Sequence, residues 1–544
     1  MTLQTLLSLS ILTAFCWFLY KRLLTYLQYF QQEEYDNRRF LQWLLKDKVF
    51  DRRVSLAILV MTALSIVISS AWWLIIVTLV FCCAAYFEIN PQYIGKKKLI
   101  LTQRARRILW LAYSMVVFFA AGVLVYVSIF AYSAMALAWI IIWLLPIHFI
   151  PFALVASNLL WQPYEISVQN KFWREAKDKM DALDPFVIGI TGSFGKTSVK
   201  HILGHILQTS TDVLWTPGSV NTPMGNTRII RERLTPEHQY FIVEMGAYGP
   251  GSIERLCKLT PPDMAVITAV GAAHYERFKS LETVAKAKFE LAYAAMAKRD
   301  DAKVITHSKV TKFSAVEAFR AQHGDHLLLC GDDEGLALQI KSVQQTVDGL
   351  NVEVVYQGKP HILEAPLFGL HHGQNMAIAF LTACELGLQV EAIKTALKSV
   401  PQIEHRLNVQ QQTNGSFIID DAFNSNTDGF IAAMELLDLL AKYHGGRRIL
   451  VTPGMVELGT KHSADHATVA SSALKYTDIV LLICPDRIPS FRDTYLKSKS
   501  AHQQLIQLNF FAEAQNWMQQ NLRAGDVILL ENDLPDRYER KLVL

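Results

Sequence analysis

The stretch Phe186-Val-Ile-Gly-Ile-Thr-Gly-Ser-Phe-Gly-Lys-Thr-Ser198 decides how this chain is read. An apolar run enters a glycine turn, and a helical pattern opens at Ser198-Val-Lys-His-Ile-Leu203. A strand, a tight turn and a helix start in that order make a phosphate-binding loop. Glycines let the backbone approach, successive N–H groups and the helix N-terminus face the anion, and a lysine adds a point charge. Thr191, Gly192, Ser193, Phe194, Gly195, Lys196, Thr197 and Ser198 are therefore the candidate nucleotide cradle. Lys196 is expected to reach the β/γ-phosphates, and Thr197 or Ser198 to hold Mg²⁺ through its hydroxyl. The strict pattern G-x-x-x-x-G-K-[ST] is not met, because Ile190 stands where its first glycine belongs.

On the N-terminal side the chain is apolar. Of 544 residues 51% are hydrophobic, and the mean hydropathy is +0.19. The net charge of +4 does not suggest nucleic acid as a partner. The seven cysteines are scattered without a C-x-x-C pair, which fits a reducing compartment rather than a disulfide framework or a zinc site. Residues 3–20 form an apolar run closed by Lys21 and Arg22, read as a retained anchor. Residues 54–87 carry no charge; as one helix they would span about 51 Å against a hydrocarbon core of about 30 Å. Two short helices turning near Ser69-Ser70 are expected instead. Residues 108–164 are also free of formal charge and should hold two spans breaking near Tyr132-Ser133, with Pro146 and Pro151 kinking or ending the last.

Charge sets the expected topology. Residues 21–53 carry eight Lys/Arg and residues 88–107 carry six, so both loops should be cytoplasmic. That requires five transmembrane helices in a membrane domain over 1–164, an N-terminus outside, and cytosolic catalytic domains at the plasma membrane. A linker, 165–185, follows. Its piece 171–180 is a charged helix with an aromatic side, read either as lying on the membrane surface or as a solvated linker.

From Phe186 onward apolar strands alternate with helical stretches. Strand candidates are 187–190, 213–215, 241–243, 264–268 and 303–306; helices read at 199–207, 252–258 and 281–297. This is the pattern of a doubly wound α/β domain, 186–401, with short antiparallel strands in 327–368. A helix at 374–386 precedes the break at Pro401. A smaller Rossmann-like α/β domain, 402–544, is expected around strands at 417–419, 449–452, 479–482 and 527–530. Glu244 ends one central strand and His274 follows another, so both should share the sheet edge with the phosphate loop, where a carboxylate suits Mg²⁺ and an imidazole can join it.

Several motifs together resemble the Mur ligase signature set: Thr191-Gly-Ser-Phe-Gly-Lys-Thr-Ser198, Glu244-Met-Gly-Ala247, Ala273-His-Tyr-Glu276, Ala287-Lys-Phe-Glu290 and Asp420-Asp-Ala-Phe-Asn-Ser-Asn426. Glu457-Leu-Gly459 with His466 is similar to an element of that family's D-alanyl-D-alanine-adding member. The resemblance implies an ATP-dependent amide ligase. A substrate carboxylate attacks the γ-phosphate, and an incoming amine attacks the resulting acyl phosphate. It assigns Thr197, Glu244 and His274 to a magnesium site and Lys288 to a carbamylated lysine that acts as a further magnesium ligand. Lys286 also follows an alanine, but only Lys288 has a glutamate two residues on. Asn375 matches an asparagine near adenine, and Arg406 and Asp421 match residues that close the C-terminal domain over the nucleotide.

The departures are specific. Only 25 residues separate Leu160 from Phe186, and the membrane domain stands where the family has its uridine-binding domain. His372, Phe423 and Thr427 replace an asparagine, a tyrosine and a proline, and Glu531-Asn-Asp-Leu-Pro-Asp536 replaces a Lys-Gly-Ser stretch. The expected function is a membrane-anchored, peptidoglycan-forming ligase that adds D-Ala-D-Ala to a muramyl tripeptide. Its partners would be ATP, an amino-acid or dipeptide amine, a cell-wall or lipid-linked carboxylate acceptor, and membrane lipid. The alternatives are a poly-γ-glutamate-type or lipid-linked-precursor ligase, and a membrane P-loop NTPase driving a conformational step.

Overall fold

The computed structural model describes residues 3–46, 48–65, 71–88, 90–92, 98–130, 135–271, 278–422, 426–456 and 458–532. The chain divides between Val168 and Gln169 into two compact units.

The first unit is helical, with helices Leu3–Gln32, Asn37–Lys46, Arg53–Ser65, Ala71–Phe87 and Gln103–Phe130, and the start of Met135–Leu183. Phe15, Phe81 and Trp143 meet in its core at centroid distances of 4.8–5.1 Å. Leu56, Leu59, Trp110, Phe118 and Tyr126 face outward. Among the described residues, two helical segments, Gln103–Val123 and Ile141–Leu183, are long and apolar enough to cross a membrane; Arg53–Leu64 and Ile75–Phe87 are apolar but shorter. The turn expected near Ser69-Ser70 and the break near Tyr132-Ser133 fall outside the described residues.

The helix that carries the first apolar run continues beyond Lys21-Arg22. Arg22 turns inward and pairs with Asp51 at 2.6 Å and Glu88 at 3.1 Å, so its charge is compensated and the helix continues to Gln32. Of the kink or end expected at Pro146 and Pro151, the end is not found: the helix runs through them and through Pro163.

Residues 171–180 have their aromatic side packed against protein. They belong to the second unit, where Trp173, Ala176 and Met180 pack with Val187, Ile230 and Leu256. Arg231 lies 4.0 Å from the Phe172 ring and pairs with Glu175 at 2.8 Å. The aromatic side seeks the protein because an apolar face is available there.

The second unit holds two sheets. Nine strands form the first, in the order β2(Val213–Trp215), β3(Tyr240–Glu244), β1(Phe186–Thr191), β4(Met264–Ile267), β5(Lys303–His307), β6(Leu327–Gly331), β7(Leu338–Thr346), β8(Gly349–Tyr356) and β9(Lys359–Ala365). The run β2 to β7 pairs in parallel, and β7, β8 and β9 are antiparallel. Alternate residues serve opposite faces. Val187, Phe241, Val243 and Ala265 pack under helices Ser252–Leu259 and Leu281–Lys298, while Ile188, Ile190, Ile242 and Val266 pack against Lys196–Gln208 and His371–Glu385. Burial on both faces is what makes these strands read as continuous apolar runs.

The second sheet has the order β10(Asn408–Gln411), β11(Phe417–Asp421), β15(Val527–Glu531), β12(Arg448–Thr452), β13(Ile479–Ile483) and β14(Gln504–Leu508), parallel except for β10. It too is covered on both faces.

Candidate active site

The carboxyl ends of β1, β3 and β4 build the site. The parallel register sets Ile190 beside Glu244 and Thr191 beside Ile267, bringing the loop after β1 against the ends of its neighbours. Thr191 Oγ1 donates to the Met245 carbonyl at 2.9 Å. Ser193 Oγ donates to the Gly271 carbonyl at 3.0 Å and accepts from the Gly271 N–H at 2.9 Å. Gly195 caps the helix Lys196–Gln208 with φ 81°, the left-handed region that glycine enters freely. A β-carbon at Gly195 would run into the Asn375 carboxamide, so this turn and helix His371–Glu385 fit only without one. Phe194 stands exposed, and Ser198 is buried.

Within this frame, Lys196 Nζ donates to the Gly192 carbonyl at 2.8 Å. Desolvation holds its amine below the ordinary lysine value; Glu244 opposes this, and the positive charges of Arg406 and Lys200 add to it. Thr197 Oγ1 donates to Glu244 Oε2 at 3.0 Å. Glu244, 1% exposed, also accepts from Lys200 Nζ at 2.9 Å and from Asn221 Nδ2 at 3.1 Å. Lys288 is 3% exposed on helix Leu281–Lys298, and no hydrogen bond or ion pair joins it to another described residue. Burial, and then the charge of Lys196, pushes its amine down to about 7.

Arg406 lies between two residues in left-handed backbone, His405 (φ 59°) and Leu407 (φ 50°), a conformation that side chains with a β-carbon rarely adopt. Its guanidinium acts on Asp421 and Glu244, and the Leu407 N–H donates to Asp421 Oδ1 at 3.3 Å. Burial raises the Asp421 carboxyl to about 6 against the opposing effect of Arg406. The structure thus gathers Lys196, Thr197, Glu244, Lys288, Asn375, Arg406 and Asp421 around the loop. His274, with residues 272–277, lies outside the described residues, as does Phe423.

Lys200, Thr216, Asn221 and Tyr248 are the residues that the sequence reading missed. Thr216 Oγ1 accepts from the Glu244 N–H at 3.2 Å, and Tyr248 OH donates to Asn221 Oδ1 at 2.9 Å. The spacing of Lys200, one helical turn beyond Lys196, was the available signal.

A helix N-terminus, an ammonium and a guanidinium form a positive field fit for an oligophosphate. Among the described residues there is no cluster of three or more His, Cys, Asp or Glu that could hold a metal ion. What is present is an oxygen pair, the Thr197 hydroxyl and the Glu244 carboxylate, and such hard donors fit Mg²⁺.

Fold and loop define a phosphate-loop α/β protein with a second Rossmann-like domain. Two family models match the chain: the Mur ligase middle domain over residues 190–383 and the Mur ligase, glutamate ligase domain over 405–531. The chain belongs to the Mur ligase family. It is 29% identical over 299 residues to the UDP-N-acetylmuramoyl-tripeptide–D-alanyl-D-alanine ligase of Escherichia coli, covering 53% of this chain and 62% of that one. It is 31% identical over 298 residues to the ligase of the same name from Mycobacterium bovis, covering 53% and 56%. The chain thus spans about three fifths of the length of these curated relatives. Among solved structures, MurF from Acinetobacter baumannii shares the fold with a TM-score of 0.58 at 22% identity, covering 67% of this chain and 77% of that one. MurF ligase from Thermotoga maritima in complex with ADP does so with a TM-score of 0.55 at 23% identity, covering 69% and 82%.

Proposed function

We propose that this protein is an ATP-dependent amide ligase of Mur type that adds D-Ala-D-Ala to a muramyl tripeptide, held at the membrane by its N-terminal helical unit. The observation that carries the reading is the gathering of Lys196, Thr197, Glu244, Lys288 and Arg406 at one sheet edge. The names of the curated relatives supply the substrate.

In the proposed reaction an acceptor carboxylate oxygen bonds to the γ-phosphorus of ATP as the bond to ADP breaks. The amine nitrogen then attacks the acyl carbon, phosphate leaves with the carboxylate oxygen, and the amine loses a proton. Lys196 and the N–H groups of the loop offset the charge on the transferring phosphoryl group. Arg406, steadied by Asp421, presents its guanidinium to the same region, and Asn375 lines the nucleotide side. Thr197, Glu244, His274 and a carbamylated Lys288 would hold Mg²⁺, which when bound neutralises phosphate charge. Burial and the lowered amine of Lys288 suit carbamylation, because only a neutral amine adds CO₂.

The N-terminal unit takes the place of a uridine-binding domain in this reading. With five spans, both basic loops would lie in the cytosol near lipid phosphates, and the acceptor could be lipid-linked. The test is phosphate release by the full-length chain in lipid nanodiscs, given ATP, UDP-linked or lipid-linked muramyl tripeptide, and a panel of amino acids and dipeptides. Release that requires both acceptor and D-Ala-D-Ala supports the reading; equal release without an amine supports the NTPase alternative.

A further inference from the structure

Lys200 is a buried cation for which the proposed chemistry has no use. Its side chain is 0% exposed, and an ammonium taken out of water costs several kcal/mol unless it is paired. Its Nζ donates to Glu244 Oε2 at 2.9 Å and to the Gly218 carbonyl. Thr197 donates to the same carboxylate oxygen, and Asn221 to the other. The Glu244 carboxylate is therefore gripped from two sides, by the helix Lys196–Gln208 and by the loop 216–222. Lys200 joins both, since one ammonium holds the carboxylate and the loop carbonyl. The loop and the helix Pro223–Arg233 after it are stitched to the same strand end elsewhere: the Gly246 N–H donates to the Asn221 carbonyl of the loop at 2.9 Å, and Asn226 Nδ2 of the helix to the Glu244 carbonyl at 3.3 Å.

We propose that Lys200 is a positioning residue, a built-in counter-ion that fixes the Glu244 carboxylate beside the Thr197 hydroxyl, so that a divalent cation meets an oriented, charged ligand. The inference rests on the reading of Glu244 as a magnesium ligand. A side chain that only filled space would use its methylenes; this one spends its charge on the oxygen that Thr197 also binds. Partners that orient a metal ligand are typically worth about ten- to a hundredfold in metal affinity.

The test uses the purified full-length chain with Mn²⁺ as the probe, its binding followed by electron paramagnetic resonance in the presence of ADP. Metal-free ADP binding is measured alongside. Lys200→Met should weaken Mn²⁺ binding about ten- to a hundredfold while metal-free ADP affinity stays within about twofold. Lys200→Gln keeps a donor for the Gly218 carbonyl but no charge, and should show the same loss; it carries the test if the methionine variant does not fold. Mn²⁺ affinity equal to or tighter than wild type in a folded variant overturns the role of Lys200. A wild-type chain that binds no ADP fails before any substitution is made, and overturns the nucleotide-site reading with this inference.

Discussion

Thr197 and Glu244, 47 residues apart in the chain, share a 3.0 Å hydrogen bond at the carboxyl edge of the central sheet. Parallel pairing of β1 with β3 brings them together, and the glycine turn before Lys196 aims the helix so that the hydroxyl meets the carboxylate. The proposed chemistry is arranged around this pair.

Lys196→Ala should lower ATP-dependent ligation by on the order of 10³-fold or more, because it removes a charge aimed at the transferring phosphoryl group. The thermal melting profile should stay close to wild type, since the lysine contributes one hydrogen bond to its own loop. Ligation near the wild-type rate would contradict the assignment.

Lys288 should carry a carbamate. Chain equilibrated with ¹³C-bicarbonate should show a carbamate carbon resonance that Lys288→Ala lacks. That variant should lose most of its activity and regain part of it with added short carboxylates. A variant as active as wild type would make Lys288 an ordinary buried lysine.

The C-terminal domain should loosen in acid through His466. This buried imidazole accepts the Met455 N–H on Nε2 at 2.9 Å, and its Nδ1 lies 2.7 Å from the His462 carbonyl, so the neutral ring fits both partners. Burial is the first cause that lowers it to about 4 from the ordinary 6.5. The folded state then binds fewer protons than the unfolded state between those values. The stabilisation is fully present above about 6.5 and is lost as pH falls through about 4. Amide protection at Met455 should fall across that window, and His466→Gln should flatten the dependence. Protection unchanged between pH 7 and 4 would rule this out.

The readable parts of the sequence are the local ones. The apolar strand, glycine turn and lysine of the loop lie within thirteen consecutive residues, and burial of the central strands on both faces left long apolar runs. What escaped depends on distant partners. Lys200 looks like any helical lysine until β3 sets Glu244 beside it. The stretch 171–180 has apolar residues at 173, 176 and 180, a helical stripe, but nothing local says that the face covers β1 and the helix Pro223–Arg233. Of the strands in 327–368, β7, β8 and β9 are antiparallel as expected, but β6 pairs in parallel with both β5 and β7, and the union of β7 with the main sheet rests on the short pairing of Cys330 with Leu338 and Gly331 with Gln339. The edge strand β14, Gln504-Leu-Ile-Gln-Leu508, is short and half-exposed and leaves no apolar run to read.

Topology is testable at Lys98, an exposed residue of the second basic loop. In a cysteine-free background, Lys98→Cys should resist membrane-impermeant maleimide added to intact cells and react after lysis. Labelling from outside would break the five-span arrangement.

The most direct test of the ligase reading follows oxygen. The full-length chain is given ATP, D-Ala-D-Ala and an acceptor whose carboxylate is enriched in ¹⁸O, and the released phosphate is analysed by mass spectrometry. An acyl phosphate leaves one acceptor oxygen on phosphate, so the account predicts phosphate carrying a single ¹⁸O for each amide bond formed. Phosphate whose new oxygen comes only from water would show hydrolysis without acyl transfer, and would contradict the account.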